Sequence, residues 1–179
     1  AVIWTSQVPA ELSSSASALA INDTNGIAGV QTGPGQSFQA LWWLSGVPDI
    51  LPHPSSIFGS VANGINDANI VVGHGGPAGF HPVLDVESHR ALLWEAGVGH
   101  DLNGLLVNGS GWALLEAWDI NNRGEVVGLG LREGQGLRAF ILTPVPEPAT
   151  VWSMLCGLGV LFVAFRSRVS RSRSGRMPN

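Results

Sequence analysis

One motif that recurs three times in the first 143 residues constrains the fold more than any other feature of the sequence. Each copy starts at an Asn that follows an Ile, continues with a polar stretch, and ends on a Gly seven positions after the Asn. The third residue after the Asn is Asn25, Asn69 or Gly124, and both residue types tolerate positive φ. The motif therefore predicts a tight turn between two apolar strands, with these three residues at positive φ. The starting residues are Asn22, Asn66 and Asn121.

A second apolar segment follows each turn, at residues 39–43, 90–94 and 138–142, and a related segment opens the chain at 1–4. Each unit therefore offers about four short strands, which predicts an all-β body over residues 1–143. We expect a partial unit at 1–16 and repeated antiparallel hairpin units at about 17–59, 60–110 and 111–143. Such units form either a propeller-like ring or an open β-repeat array. Three units and a fragment are few for a ring, so the sequence predicts an open array or a fragment of a larger protein.

The C-terminal part of the chain has a different composition. Residues 151–165 carry no charge, and Pro148 suits the first turn of a helix. A helix over 149–165 would be about 25 Å long, the short end of what spans a bilayer. The following segment, 166–179, is expected to be a cytoplasmic tail that leaves the body outside, because basic residues flank the inner end of a membrane helix. Its five basic residues are Arg166, Arg168, Arg171, Arg173 and Arg176.

A linker at 144–148 contains Val145, Pro146, Glu147 and Pro148, and its two prolines favour an extended, accessible backbone. Together with the apolar segment and the Arg cluster, this linker resembles the PEP-CTERM sorting signal. The resemblance implies recognition by exosortase, a membrane transpeptidase of Gram-negative bacteria, and cleavage near the Pro-Glu-Pro sequence. It also implies an inner-membrane-anchored precursor that later reaches the cell surface or the extracellular space. A permanent single-pass anchor stays open as the alternative.

The repeated body resembles HAF, an extracellular repeat of bacterial surface and secreted proteins. The shared pattern is I-N-x-x-[NG]-x-[VI]-[VA]-G followed by a strand of the form A-[FL]-x-W. Of the Phe positions of that family only Phe140 is retained, and the His positions hold Gln39, Arg90 and Arg138. The resemblance implies a β-repeat protein that acts outside the cell, at the surface or in a biofilm matrix.

Charge and cysteine content exclude several classes of function. Residues 1–150 contain four Arg and thirteen acidic residues, a net charge of −9, so binding of nucleic acid by the body is disfavoured. The single Cys, Cys156, cannot form an intramolecular disulfide, and the sequence offers no cysteine zinc site.

Few residues suggest chemistry. His81, Asp85, Glu87 and His89 would share one face of a strand and could bind a metal such as zinc, but Pro82 favours a solvated loop. The run of residues 73–76, which includes His74, is interpreted as a flexible turn. We expect no metal site and no cofactor on this basis. Calcium is an alternative for the oxygen ligands near the turns, although the same residues are typical of turns themselves. These oxygen ligands belong to Asp23, Asp67, Asp119 and Asn122.

The repeated Trp43, Trp94 and Trp118 are predicted to be core residues, and if exposed they would stack on sugar rings. The sequence therefore favours an exported, non-enzymatic repeat protein, an interaction module of the cell surface or extracellular matrix. Its expected partners are exosortase, the membrane before processing, and an extracellular polysaccharide or surface protein. Two alternatives stay open, namely an extracellular enzyme whose catalytic part is missing from this chain and a permanently anchored surface protein.

Overall fold

The computed structural model describes residues 2–5, 8–11, 14–33, 37–44, 46–107, 109 and 111–145. Val145 is therefore the one residue of the predicted V-P-E-P segment that the structure describes, and it is 70% exposed. The rest of the linker, the predicted helix at 149–165 and the Arg-rich tail lie outside the described residues. Within the described ranges, no helix is long and apolar enough to cross a membrane.

The described part of the body consists of strands, with two short 3-10 helices at Val86–Ser88 and Leu102–Leu105. The prediction of an all-β body is confirmed for these residues. In chain order, the strands are β1 (Val2–Thr5), β2 (Val8–Glu11), β3 (Ala16–Ile21), β4 (Ile27–Thr32), β5 (Phe38–Leu44), β6 (Val47–Ile50), β7 (Gly59–Ile65), β8 (Val71–Gly76), β9 (Arg90–Glu95), β10 (Val98–Asp101), β11 (Trp112–Ile120), β12 (Val126–Arg132) and β13 (Gly136–Leu142).

The strands form antiparallel meanders, and within each sheet every strand pairs with the next one along the chain. Sheet A contains β3–β6, sheet B contains β7–β10 and sheet C contains β11–β13, while β1 and β2 form a separate hairpin. Short turns join most of the paired strands, and a tight turn can only join antiparallel neighbours, while the longer loop 77–89 joins β8 to β9. The described strands form an open set of sheets and close into neither a barrel nor a propeller. Sheet C has three described strands, one fewer than the four expected of a unit.

The three repeated turns have the predicted backbone. Asn25, Asn69 and Gly124 have φ values of 64°, 58° and 77°, which confirms the alignment of the repeats. The strand before each turn carries a register shift at the equivalent place, next to residues 18–20, 62–64 and 117–119. Each repeat therefore has a β-bulge just before its turn, a feature that bends the strand.

The bulge explains the Gly that closes each motif. A Cβ added at Gly73 would overlap the carbonyl oxygen of Val61 on the paired strand, and the same overlap occurs at the two equivalent glycines. The backbones of the two strands approach so closely here that there is no space for a side chain.

The sheets pack on one another in chain order. Strands β3, β4 and β5 of sheet A contact β7 of sheet B, and β11 of sheet C contacts β7, β8 and β9. One core cluster includes Ala28, Ala40 and Leu92, and another includes Val72, Ala91 and Leu114. Each sheet therefore buries its apolar face against the next sheet, as in other repeat architectures.

Candidate functional site

Each repeated turn is built on the side chain of its Asn. The Oδ1 atom of Asn66 accepts hydrogen bonds from the backbone N–H groups of Ala68 and Ile70, at 3.1 and 3.0 Å. The Oδ1 atoms of Asn22 and Asn121 accept the corresponding two bonds in their own turns. The Asn in the motif is thus required locally, because a short side chain with an acceptor oxygen satisfies two backbone donors of the turn.

The same Asn residues also connect the turns to one another. Asn22 Nδ2 donates to the carbonyl oxygen of Asn66 at 2.7 Å, and Asn66 Nδ2 donates to the carbonyl oxygen of Asn121 at 3.2 Å. The next residue repeats the pattern, since the backbone N–H of Asp23 donates to Asp67 Oδ1 and that of Asp67 donates to Asn122 Oδ1, both at 2.9 Å. We call Asn22, Asn66 and Asn121 with these bonds the asparagine ladder.

No further repeated turn follows Asn121 in the described residues, and a side chain of its own turn, Glu125, provides the acceptor for its Nδ2. Asn121 Nδ2 donates to Glu125 Oε2 at 2.6 Å, and Arg123 forms an ion pair with the same carboxylate. The hydrogen bonds from Asn121 and then Arg123 lower the pKa of Glu125. The Glu125 carboxylate therefore accepts the bond from Asn121 Nδ2. In the two earlier repeats, the Nδ2 of the Asn donates to the following turn instead.

Three of the residues predicted as calcium candidates, Asp23, Asp67 and Asn122, lie in the turns, whereas Asp119 lies on β11 just before its turn. Asp67 accepts bonds from the Asp23 backbone and from Asn122 Nδ2, and Asp119 Oδ1 accepts from the Ile120 backbone at 2.9 Å. The interpretation of these side chains as turn residues agrees with these bonds.

A cluster of titratable groups lies between sheets B and C. It consists of His74 on β8, His89 immediately before β9, and Glu116 on β11. One potential ligand atom from each residue lies within 4.8 Å of the other two. His89 Nδ1 is 2.9 Å from Glu116 Oε1, and the two imidazole rings are stacked with their centroids 5.1 Å apart. We call these three residues the His–Glu cluster.

Hydrogen bonds define the roles of the two ring nitrogens of His89. Its Nε2 lies 3.0 Å from the carbonyl oxygen of Leu84 and 3.2 Å from that of His81. Carbonyl oxygens only accept, so Nε2 carries a proton and donates. The Nδ1 atom therefore faces Glu116, whose other oxygen accepts a bond from Trp118 Nε1 at 2.8 Å.

His74 is only 5% exposed, and burial is the main reason why its pKa falls from 6.5 to about 4. Its Nδ1 accepts a hydrogen bond from Asn63 Nδ2 at 3.0 Å, and the same amide donates to the carbonyl oxygen of Ala117 at 2.8 Å. Its Nε2 is buried and forms no short hydrogen bond to a described residue, and the Pro82 carbonyl near the ring offsets only part of the lowering of the His74 pKa. Phe80 packs edge-on against the His74 ring and completes the apolar wall.

The predicted metal candidates are mostly not in this cluster. Residues 77–89 form turns and the 3-10 helix Val86–Ser88, with Asp85 in the left-handed region, so the segment is a loop as predicted, but His89 at its end is fully buried and not solvated. His81 contributes its backbone carbonyl to His89, while its side chain accepts a bond from the Val83 backbone, and Glu87 is exposed. His89 is the one member of the predicted set that joins the His–Glu cluster.

His74 and Glu116 were not predicted from the sequence. The interpretation of residues 73–76 as a flexible turn is wrong, because they belong to β8. The local glycines hide the strand, and Glu116 is 42 residues away on another sheet. No local pattern points to Glu116, because β11 does not alternate regularly: the consecutive Leu114 and Leu115 are both buried, and the strand contains register shifts.

The tryptophan prediction is confirmed at two positions and wrong at the third. Trp43 and Trp94 are 0% and 1% exposed, whereas Trp118 is 47% exposed. Trp118 is not equivalent to the two core residues, because it lies at the bulge of β11, the first strand of sheet C, whereas Trp43 and Trp94 lie on β5 and β9, the third strands of sheets A and B.

Comparisons with known proteins identify one segment of the chain. No curated protein and no solved structure matches the chain. Residues 144–169 match the PEP-CTERM protein-sorting motif, as the linker sequence predicts. That motif indicates an exported protein with a membrane-anchored precursor that exosortase recognises.

Proposed function

We propose that the chain is an exported, non-enzymatic repeat protein that acts as an interaction module at the cell surface or in the extracellular matrix. The observation that carries this proposal is the PEP-CTERM motif at residues 144–169, directly after a body of stacked β-sheets. The motif directs the protein out of the cell, and the repeated sheets offer a surface to which a partner can bind. A relation of the body to HAF repeats is part of this proposal and rests on the repeated I-N motif alone.

The chemistry of the body supports binding as its role. The repeated Asn residues form the hydrogen bonds within and between the turns, so their role is to stabilise the stacked sheets. The net charge of −9 in residues 1–150 disfavours polyanionic partners such as nucleic acid. Trp118 is exposed and offers an aromatic face for an extracellular polysaccharide.

Processing is tested by expression in a Gram-negative host with and without exosortase. With the enzyme, the released form should be smaller by roughly 3 kDa, the mass of about 30 residues at about 110 Da each. Replacement of Pro146, Glu147 and Pro148 by Ala should leave membrane insertion intact and block cleavage. Exchange of the exposed Glu133 for Gln is the matched control and should be processed normally.

Three results would contradict this sorting mechanism. Released protein that still contains residues 151–179 would show that the tail is not removed. Equal processing in hosts with and without exosortase would show that another protease acts. A protein that stays in the membrane in both hosts would instead be a permanently anchored surface protein.

A further inference from the structure

We propose that the His–Glu cluster binds one divalent transition-metal ion, for which zinc is the best match. Two imidazole nitrogens and one carboxylate oxygen are ligands that zinc uses in proteins, in sites with three protein ligands and one open position. His74, His89 and Glu116 provide this set from two strands and one loop end of neighbouring sheets. The site belongs to the body and is independent of the sorting motif.

His89 and Glu116 are already oriented for coordination. The bond from His89 Nε2 to the Leu84 carbonyl leaves Nδ1 as the ligand atom, and a carbonyl behind a ligating His is a common arrangement in metal sites. Trp118 holds one oxygen of Glu116, and the other lies 2.9 Å from His89 Nδ1. Two acceptor atoms at this distance repel each other unless a proton or a cation lies between them.

His74 supplies the independent observation. A buried ring nitrogen without a partner costs free energy, and native proteins rarely leave one without a reason. A metal ion bound at Nε2 removes this cost. Phe80 and the stacked ring of His89 shield the position from bulk water, which strengthens the attraction between a cation and the carboxylate.

Metal binding requires one defined rearrangement. When Nε2 coordinates a metal, the ring proton lies on Nδ1, so the Asn63 amide must turn to present its oxygen and lose its bond to Ala117. Zinc bonds of about 2.0–2.2 Å place tetrahedral ligand atoms about 3.4 Å apart. The His74 ligand atom therefore has to move about 1 Å closer to the other two, whereas His89 Nδ1 and Glu116 Oε1, now 2.9 Å apart, have to separate by about 0.5 Å.

The test uses the full 179-residue chain in detergent after removal of metals with EDTA. Zinc binding is measured by calorimetry and by the thermal unfolding midpoint, and Co²⁺ is used as a spectroscopic probe of the ligand geometry. The wild-type chain should bind one zinc ion and unfold at a higher temperature when it is loaded. Glu116→Gln and His74→Ala should each weaken binding at least tenfold, and Co²⁺ should show the visible absorption of a tetrahedral site.

His81→Gln and Glu87→Gln are the matched controls, because they remove exposed metal-binding side chains from the adjacent loop. Both should bind zinc as the wild type does. Absence of zinc binding to the wild type, or a loss in the loop variants instead of the cluster variants, would overturn the proposal. Glu116→Gln preserves shape and hydrogen-bonding capacity, so it decides the question even if His74→Ala does not fold.

Asn63→Asp distinguishes a ligand role of His74 from a packing role. A carboxylate at this position accepts the bond from a protonated Nδ1, which is the form of the ring that coordinates through Nε2. This variant should therefore bind zinc several-fold more tightly than the wild type. Equal or weaker binding would refute coordination through His74 Nε2, and with it the three-residue site.

Discussion

The asparagine ladder predicts that one buried side chain contributes substantially to stability. Asn66→Ala removes three hydrogen bonds, two inside its turn and one to the carbonyl oxygen of Asn121. Each such bond contributes about 0.5–1.5 kcal/mol net, and Asn66 is only 4% exposed, so water cannot fully replace them. We expect the free energy of unfolding to fall by about 2–3 kcal/mol, a large part of the usual 5–15 kcal/mol.

Two further variants separate the contributions. Asn66→Asp keeps the acceptor for the turn but loses the donor to Asn121, and it places a carboxylate against a carbonyl oxygen, so we expect a loss of about 1–2 kcal/mol. Asn121→Ala removes the corresponding turn bonds at an exposed position, where water replaces them, and should cost less than about 1 kcal/mol.

Urea unfolding followed by tryptophan fluorescence measures these differences, since Trp43 and Trp94 are buried in the native protein. The expected order of destabilisation is Asn66→Ala, then Asn66→Asp, then Asn121→Ala. If Asn121→Ala costs as much as Asn66→Ala, burial of the ladder does not determine its strength. If Asn66→Ala costs less than about 0.5 kcal/mol, the bonds between turns do not stabilise the stack.

Two other predictions concern the closing glycine and the buried histidine. Gly73→Ala should destabilise the protein by about 1–3 kcal/mol, because the new Cβ overlaps the Val61 carbonyl. Gly104→Ala is the control, because a Cβ at this position meets no other atom, and it should change the urea midpoint little. Equal effects of the two substitutions would contradict the close approach of the strands at Gly73. In metal-free protein, stability should decrease as the pH falls from about 6.5 to about 4, because the unfolded chain protonates His74 before the folded chain does. From this difference in pKa, the free energy of unfolding should fall by about 3 kcal/mol in total, as measured by urea unfolding across that pH range. If the stability of a His74→Gln variant depends on pH as strongly as that of the wild type, His74 is not the group responsible.

The comparison of repeats shows why some residues were predictable and others were not. Asn25, Asn69 and Gly124 were predictable because a turn is specified by a few consecutive residues and by the φ values they tolerate. Trp118 was misassigned because its exposure depends on a bulge in β11 and on which sheet lies beside it. Periodicity alone cannot show either feature.

The His–Glu cluster is the clearest case of a site that depends on tertiary packing. His89 was among the candidates, but its neighbours in the loop point elsewhere, and its partners come from β8 and β11. Residues 74, 89 and 116 share no motif and no spacing that a metal site would require. Stacking of sheet C on sheet B brings them together.

The amino-acid sequence by itself determined the class of fold, the hairpin turns and the sorting motif at 144–169, since each depends on residues that are close in the chain. The tertiary structure alone decided that the turns bond to one another, that each closing Gly faces a carbonyl, and that two histidines meet a glutamate. The physical reason is the separation along the chain of the residues that specify each feature. Turns, strands and linear signals are specified by local conformational preference, whereas these contacts depend on how the bulged sheets pack on one another.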